Sequence, residues 1–291
     1  MDTLIAADDQ LIIIAEDEDR IRLSDLADYS VDSEALQVPP QRQRAPERTL
    51  VLGWNRHGSS MLDALDEYVA PGSATAVVAD EPAAEKRVAA SHTSLANQTV
   101  TFQLADTTDR GVLDALGVPS YNHVLVLSYS DRLGVQEADA RTLVTLLHLR
   151  DMAERHGKPF SIVSEMLDLR NRQLAEATKA DDFIVSDHLV SLMLAQISEN
   201  KHLTGVLAEL VDPEGMEIYL KPVEDYVRLE HAVSFYTLLE AAQRRGEVAI
   251  GYRLVGDSRR EAGPHGVAIN PRKSERVAFA AGDKVIVVAE S

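Results

Sequence analysis

Short apolar runs alternate with helix-length amphipathic stretches through the middle of the chain. Strands are predicted at Thr49–Leu52, Ala74–Ala79, Thr99–Leu104, His123–Leu127, Phe160–Val163 and Asp182–Val185. Between them, the 3.6-residue spacing predicts helices over 60–69, about 109–116, about 135–156 and 170–178. The first carries Met61, Leu62, Leu65 and Val69 on one face, and Pro71-Gly72 stops it. The long helix has Ala138, Leu143, Leu146, Leu147 and Leu149 as its apolar members. Alternation of this kind predicts an α/β fold, a Rossmann-like parallel sheet covered by helices on both faces.

The pattern changes after residue 186. A helix over 187–198 is apolar over a wide arc, more than one face of a surface helix requires. Burial between two domains or two subunits accounts for that arc; burial within one subunit is the alternative. A second helix follows over about 203–210. The remainder predicts a smaller α+β lobe. Its strands fall at Glu217–Lys221, Glu247–Leu254, Val267–Ile269 and Val285–Ala289, with a helix over Ser234–Arg245 that Gly246 ends. Alternation along Glu247–Leu254 puts Val248, Ile250 and Tyr252 on one face.

The two ends of the chain resemble one another. LIAADDQLIIIAE at 4–16 aligns without gaps on AFAAGDKVIVVAE at 278–290, with Ala6, Ala7, Asp9, Ile12, Ala15 and Glu16 identical to their counterparts. Each reads as an acidic turn followed by a short apolar strand. If 278–290 closes one domain, 4–16 closes an earlier copy of it, and the chain is expected to be the C-terminal part of a longer tandem protein. Residues 17–47 are acidic, then proline-rich, and read as a linker. The expected organisation is a tail strand at 1–16, the linker at 17–47, the Rossmann-like lobe at 48–186, interface helices at 187–210 and the small lobe at 211–291.

Composition narrows the function classes. Of 291 residues, 45% are hydrophobic and 26% charged, as in a globular protein. No apolar run exceeds five residues, so no direct membrane insertion by this chain is expected. The absence of cysteine excludes disulfides, zinc–thiolate sites and thiol nucleophiles. A formal charge of −18 disfavours nucleic acid and anionic lipid and favours cations or basic partners. Half of that charge lies in residues 1–40, where eleven acids face two bases.

Ligands of open parallel sheets bind beyond the carboxyl ends of the strands. The candidate cofactor-binding residues are therefore Gly53, Asn55, Asp80 and Asp106. Gly53 allows close backbone approach after the first strand. Ser59 and Ser60 open a helix whose N–H groups suit an anion. Asp80 ends the second strand, where an acid hydrogen-bonds a ribose. Asp106 and Thr107 end the third strand and Glu165 the fifth. Asn55 stands where the dinucleotide motif has its second glycine, so a pyrophosphate would meet a side chain there. In the alternative, Gly53 serves only the turn and the acids only cap strands. Carboxylates that could gather calcium are Asp17–Asp19, Asp106 with Asp109, and Glu165 with Asp168, all without EF-hand spacing. No Ser-His-Asp order or Tyr-x-x-x-Lys pair supports a catalytic step.

Several stretches carry a family resemblance. They are Leu52-Gly53-Trp54-Asn55-Arg56, Leu65–Ser73, Gln136–Leu143, Leu149-Arg150-Asp151, Ser164–Asp168, Val185–Ser191, Phe235-Tyr236 and Ile250–Leu254. Over about 48–291 the chain resembles the CASTOR/POLLUX ion-channel family. The resemblance implies tandem cytosolic RCK domains, each with a TrkA-N-type Rossmann lobe and a smaller C-terminal lobe. It implies a homotetrameric gating ring on the cytoplasmic side of a membrane, joined to a pore this chain lacks. A ligand, calcium or a nucleotide such as NAD, would act on cation or potassium transport without enzymatic turnover. Two other readings stand beside it: a soluble NAD-dependent Rossmann enzyme, and a free-standing regulatory subunit of a potassium transporter.

Overall fold

The computed structural model describes residues 4, 6, 7, 12–15, 29–38, 45–91, 95–157, 160–171, 174, 182–200, 202–212, 215–255 and 266–290. The chain divides into two compact units, residues 42–207 and residues 1–41 with 208–291.

The first of these holds a six-stranded parallel sheet. Its strands are β1 (Arg48–Leu52), β2 (Ser73–Ala79), β3 (Gln98–Leu104), β4 (His123–Val126), β5 (Ser161–Met166) and β6 (Asp182–Val185), in the order β3-β2-β1-β4-β5-β6. Leu50 of the central strand pairs with Ala76 on one side and Val124 on the other. The order reverses between β1 and β4, which opens a crevice beyond their carboxyl ends. Helices are α1 (Gly58–Tyr68), α2 (Pro82–Ser91), α3 (Arg110–Leu116), α4 (Val135–His156) and α5 (Ser186–Glu199).

Successive residues of β1 feed two separate cores, which is why the strand is apolar throughout. Leu50 and Leu52 pack with Leu113 of α3 and with Leu146, Leu149 and Met152 of α4. Val51 packs on the opposite face with Leu62 of α1 and Ala84 and Val88 of α2. Leu147, expected among the apolar members of α4, points outward instead. Helix α2 has no counterpart among the sequence expectations. Its composition is mostly alanine and charge, and only Ala84 and Val88 are buried, so its amphipathic signal is weak. Pro82 at its first position needs no intrahelical hydrogen bond. The expected helix at 170–178 lies largely outside the described residues, which show a 3-10 turn at Leu169–Asn171.

Two buried aspartates tie helices of this unit to loops. Asp66 at the end of α1 accepts from the N–H groups of Ala96, Asn97 and Gln98, fixing the entry to β3. Asp139 of α4 accepts from Leu167 N, Asp168 N and Asn171 Nδ2, fixing the loop after β5. Each carboxylate satisfies several otherwise orphaned donors.

The second unit contains an antiparallel sheet of β7 (Met216–Pro222), β9 (Val248–Arg253), β10 (Val267–Ile269) and β12 (Lys284–Glu290), ordered β10-β9-β12-β7. A pair of short strands, β8 (Ala232–Ser234) and β11 (Arg276–Ala278), and helix α7 (Phe235–Gln243) complete it. Helix α6 (Leu203–Val211) lies at the division between the units. Tyr226, Phe235, Leu238, Tyr252, Phe279, Val285 and Val287 form the core. The three-residue strands β8 and β11 are too short to register as a periodic pattern and were not expected.

Strand β9 corrects the alternation read from sequence. The register against β12 shifts between Ile286 and Val287, leaving Ile250 as an extra residue between Gly251 and Ala249. A bulge of this kind flips the faces on either side of it. Ala249 and Tyr252 enter the core, whereas Val248 is exposed.

The expected linker also differs, whereas most of the expected tail strand lies outside the described residues. Residues 29–38 form part of the small unit's packing. Ala35 is buried in its core, Leu36 bridges Val227, and Asp32 N donates to Thr237 Oγ1 at 3.1 Å. His231 donates to Asp32 Oδ2 at 2.8 Å. Of residues 1–16, those described form no strand, and Ile12, Ile13 and Ile14 are exposed. The counterpart of this segment in the repeat, β12, pairs with β7 and β9. Asp283, the counterpart of Asp9, is buried and accepts from Val255 N and Ala280 N, which is the structural use of the acidic turn before β12. Asp9 itself lies outside the described residues.

Candidate functional site

The loop after β1 enters the crevice at Gly53. Its φ is +93°, and a Cβ there would stand 2.2 Å from Leu127 O. Only glycine permits both. Three residues past Asn55, Gly58 begins α1 against the buried Trp54 ring, which a Cβ would meet at 2.8 Å. The segment therefore keeps the first and last glycines of a G-x-G-x-x-G loop and replaces the middle one with Asn55.

Asn55 is buried and fully engaged. Its Nδ2 donates to Ser128 O at 2.9 Å and to Glu165 Oε2 at 2.6 Å, and its Oδ1 accepts from His57 N at 2.9 Å. Ser128 N donates to the same Glu165 oxygen at 3.1 Å. One carboxylate oxygen thus joins the loops after β1 and β4 to the end of β5.

Asp80 and Asp106 come together through arginine. Arg141 of α4 places Nη2 at 2.7 Å from Asp106 Oδ1 and 3.5 Å from Asp80 Oδ2, and Arg132 reaches the same Asp80 oxygen at 3.2 Å. The buried ring of Tyr129 lies beneath both guanidinium groups, 5.0 Å from Arg141 and 5.8 Å from Arg132, and its hydroxyl accepts from Asp80 N at 3.0 Å. Such cation–π stacking favours the charged arginines where they stand. Burial works to raise the Asp106 pKa, but hydrogen bonds from Thr108 and the Arg141 charge outweigh it and hold the carboxyl below its ordinary value.

The structure therefore places all four candidate residues at the carboxyl edge of the sheet, in two networks: Gly53 and Asn55 with Glu165, and Asp80 with Asp106. Sequence reasoning missed the groups that bind them: Ser128, Tyr129, Arg132 and Arg141. The stretch Gln136–Leu143, one of those carrying the family resemblance, contains Arg141 but gave it no role. Trp54 Nε1, Ser128 Oγ, Ser164 Oγ and Arg141 Nε are buried without a hydrogen-bond partner among the described residues. Ordered water is small enough to satisfy such atoms.

The acidic pairs behave as structural groups. Asp106 receives Thr108 and Arg141, while Asp109 caps α3 by accepting from Gly111 N at 2.7 Å. Glu165 is held by Asn55 and Ser128. Asp168 takes Arg170 on both oxygens and Gln136 Nε2 at 3.1 Å. The Arg170 hydrogen bonds chiefly lower the Asp168 pKa, to about 2. Asp17–Asp19 lie outside the described residues. Among the described residues, no three histidine or acidic side chains are grouped as a metal site.

Helix α5 presents a different surface. Leu189, Val190, Leu192 and Leu194 are all about half exposed or more, with Leu194 at 64%. Among the described residues, no helix is long and apolar enough to cross a membrane.

A parallel sheet with helices on both faces, accompanied by a small antiparallel lobe, recurs in a solved structure. The human SLO3 gating ring matches the fold with a TM-score of 0.56 over 84% of this chain and 44% of that one, at 13% identity, a likeness of fold. No protein-family model matches the chain. Among curated proteins, a probable ion channel POLLUX of Arabidopsis thaliana is 27% identical over 326 aligned positions, covering 100% of this chain and 38% of that protein. The ion channel CASTOR of Lotus japonicus is 29% identical over 315 positions, covering 97% and 36%. The chain is similar to the CASTOR and POLLUX ion channels along its whole length and spans little more than a third of theirs.

Proposed function

We propose that the chain is a regulatory, gating-ring region of a CASTOR/POLLUX-like cation channel, standing on the cytoplasmic side of the membrane and performing no chemical step. The observation that carries this reading is the whole-length similarity to those channels, joined to the fold shared with the SLO3 gating ring. In this reading the chain assembles with further copies, as a tetrameric ring, and couples to a membrane pore. The exposed apolar arc of α5 supports assembly, because a leucine moved from water into an interface contributes about 1.5–3 kcal/mol. Coupling needs only a ligand that binds two states of the ring unequally, with about 1–3 kcal/mol per site being typical. Repetition of the 278–290 pattern at 4–16 supports a tandem of two such domains.

The test is ion flux through the full-length channel in liposomes. Charge placed on α5, as Leu192→Glu with Leu194→Glu, is expected to abolish ligand-dependent opening while the pore still inserts. Regulation unchanged by that pair would remove this region from the gating path.

A further inference from the structure

The carboxyl edge of a Rossmann-like sheet invites a dinucleotide, and the residues here do not fit one. Three features are needed: bare backbone at the second glycine, a crevice that welcomes negative charge, and an acid after β2 able to hydrogen-bond a ribose. In this lobe Asn55 fills the glycine position with a buried side chain. Glu165 holds a carboxylate 2.6 Å from that amide, between the ends of β1 and β4, where a diphosphate would bring like charge. Asp80 has two guanidinium groups on Oδ2, one of them shared with Asp106. The His57 N–H, next to the start of α1, is already taken by Asn55 Oδ1.

We propose that the crevice is occupied by the chain's own side chains, which make the cross-links a nucleotide would otherwise make, and that this lobe takes no dinucleotide. Asn55 and Glu165 bind the ends of β1, β4 and β5 to one another. Arg141, seated over Tyr129, binds the ends of β2 and β3. Five of the six strand ends are thereby fixed without a ligand, so the lobe transmits force as a rigid element and nucleotide sensitivity of any assembly resides elsewhere. The inference rests on the lobe's geometry and stands whether or not the channel reading does.

Isothermal titration calorimetry of the whole chain against NAD, NADH, ADP and ATP tests it. No binding is expected up to about 1 mM, an affinity barely above nonspecific association. Glu165→Gln keeps the shape and removes the charge; combined with Asn55→Gly it restores the bare backbone. The double variant is expected to bind at least one of these ligands ten times more tightly than the parent. Glu165→Gln alone carries the same expectation in direction if the double variant fails to fold. Binding by the parent chain that Asp80→Ala abolishes would overturn the proposal. A silent parent with equally silent, folded variants would overturn the assignment of Asn55 and Glu165 as the blocking groups. Neither result bears on flux through the full-length channel, so the two readings fail separately.

Discussion

The carboxyl edge of the parallel sheet and helix α5 belong to the same unit and treat their side chains in opposite ways. At the edge, charged groups are matched within the chain: Asp80 and Asp106 share Arg141, and Glu165 is held by Asn55 and Ser128. Along α5, apolar groups such as Leu192 and Leu194 meet water. Arg141 and Glu165 are partly withdrawn from water, where an unpaired charge is costly, and the chain pairs them itself. Exposed apolar groups cost less per residue and can wait for a partner. The contrast separates the groups this chain satisfies by itself from those it leaves exposed.

The comparison breaks most severely at Gly53. Gly53→Ala forces a positive φ on alanine and drives its Cβ into Leu127 O. A loss of about 3–5 kcal/mol is expected, through backbone strain and overpacking. Thermal unfolding checks this, and a midpoint within a degree or two of the parent would mean that the close approach at the switch point is not real. Next comes α5. Leu192→Glu with Leu194→Glu is expected to leave the folded chain monomeric in sedimentation where the parent associates, at about 3 kcal/mol or more of lost association energy. Association unchanged by this pair would move the interface off α5.

The smallest effect is electrostatic. Asp168 has a folded pKa of about 2 against an ordinary 3.8, held down chiefly by Arg170. Because the folded value is the lower, Asp168 stabilises the protein above pH about 4 and loses that contribution as the pH falls toward 2. Asp168→Asn should lower stability above pH about 4, modestly because Arg170 is exposed, and should converge with the parent as the pH falls toward 2, which flattens the acid limb across that window. Parallel acid limbs in the two proteins would deny the Arg170 pairing in solution.

How much was legible beforehand follows the range of each interaction. The strands of the parallel sheet were readable because burial on both faces leaves nearly unbroken apolar runs, and α4 because it is long. Helix α2 was not, since two buried positions make no stripe. The packing of residues 29–38 was hidden because acidic and proline-rich surroundings mask Ala35 and Leu36, whose partners lie near residue 227. Gly53 was read as a place where backbone could approach a ligand after a strand; what the structure shows there is its close approach to Leu127 O. Its neighbour Asn55 was seen as an obstacle to pyrophosphate, but its tie to Glu165 spans 110 positions and no local pattern encodes it.

By itself the sequence determined the alternation of strands and helices, the close turn at Gly53, the acidic charge and the surplus of apolar residues on α5. These are properties of single residues and of their spacing along a few turns, which burial and backbone sterics read directly. Only the tertiary structure decided that the acids at the strand ends are matched internally, that Ile250 bulges out of β9 and that residues 29–38 join a core. Those outcomes depend on directional contacts between groups far apart in the chain, and such contacts exist only once the sheets have brought their ends together.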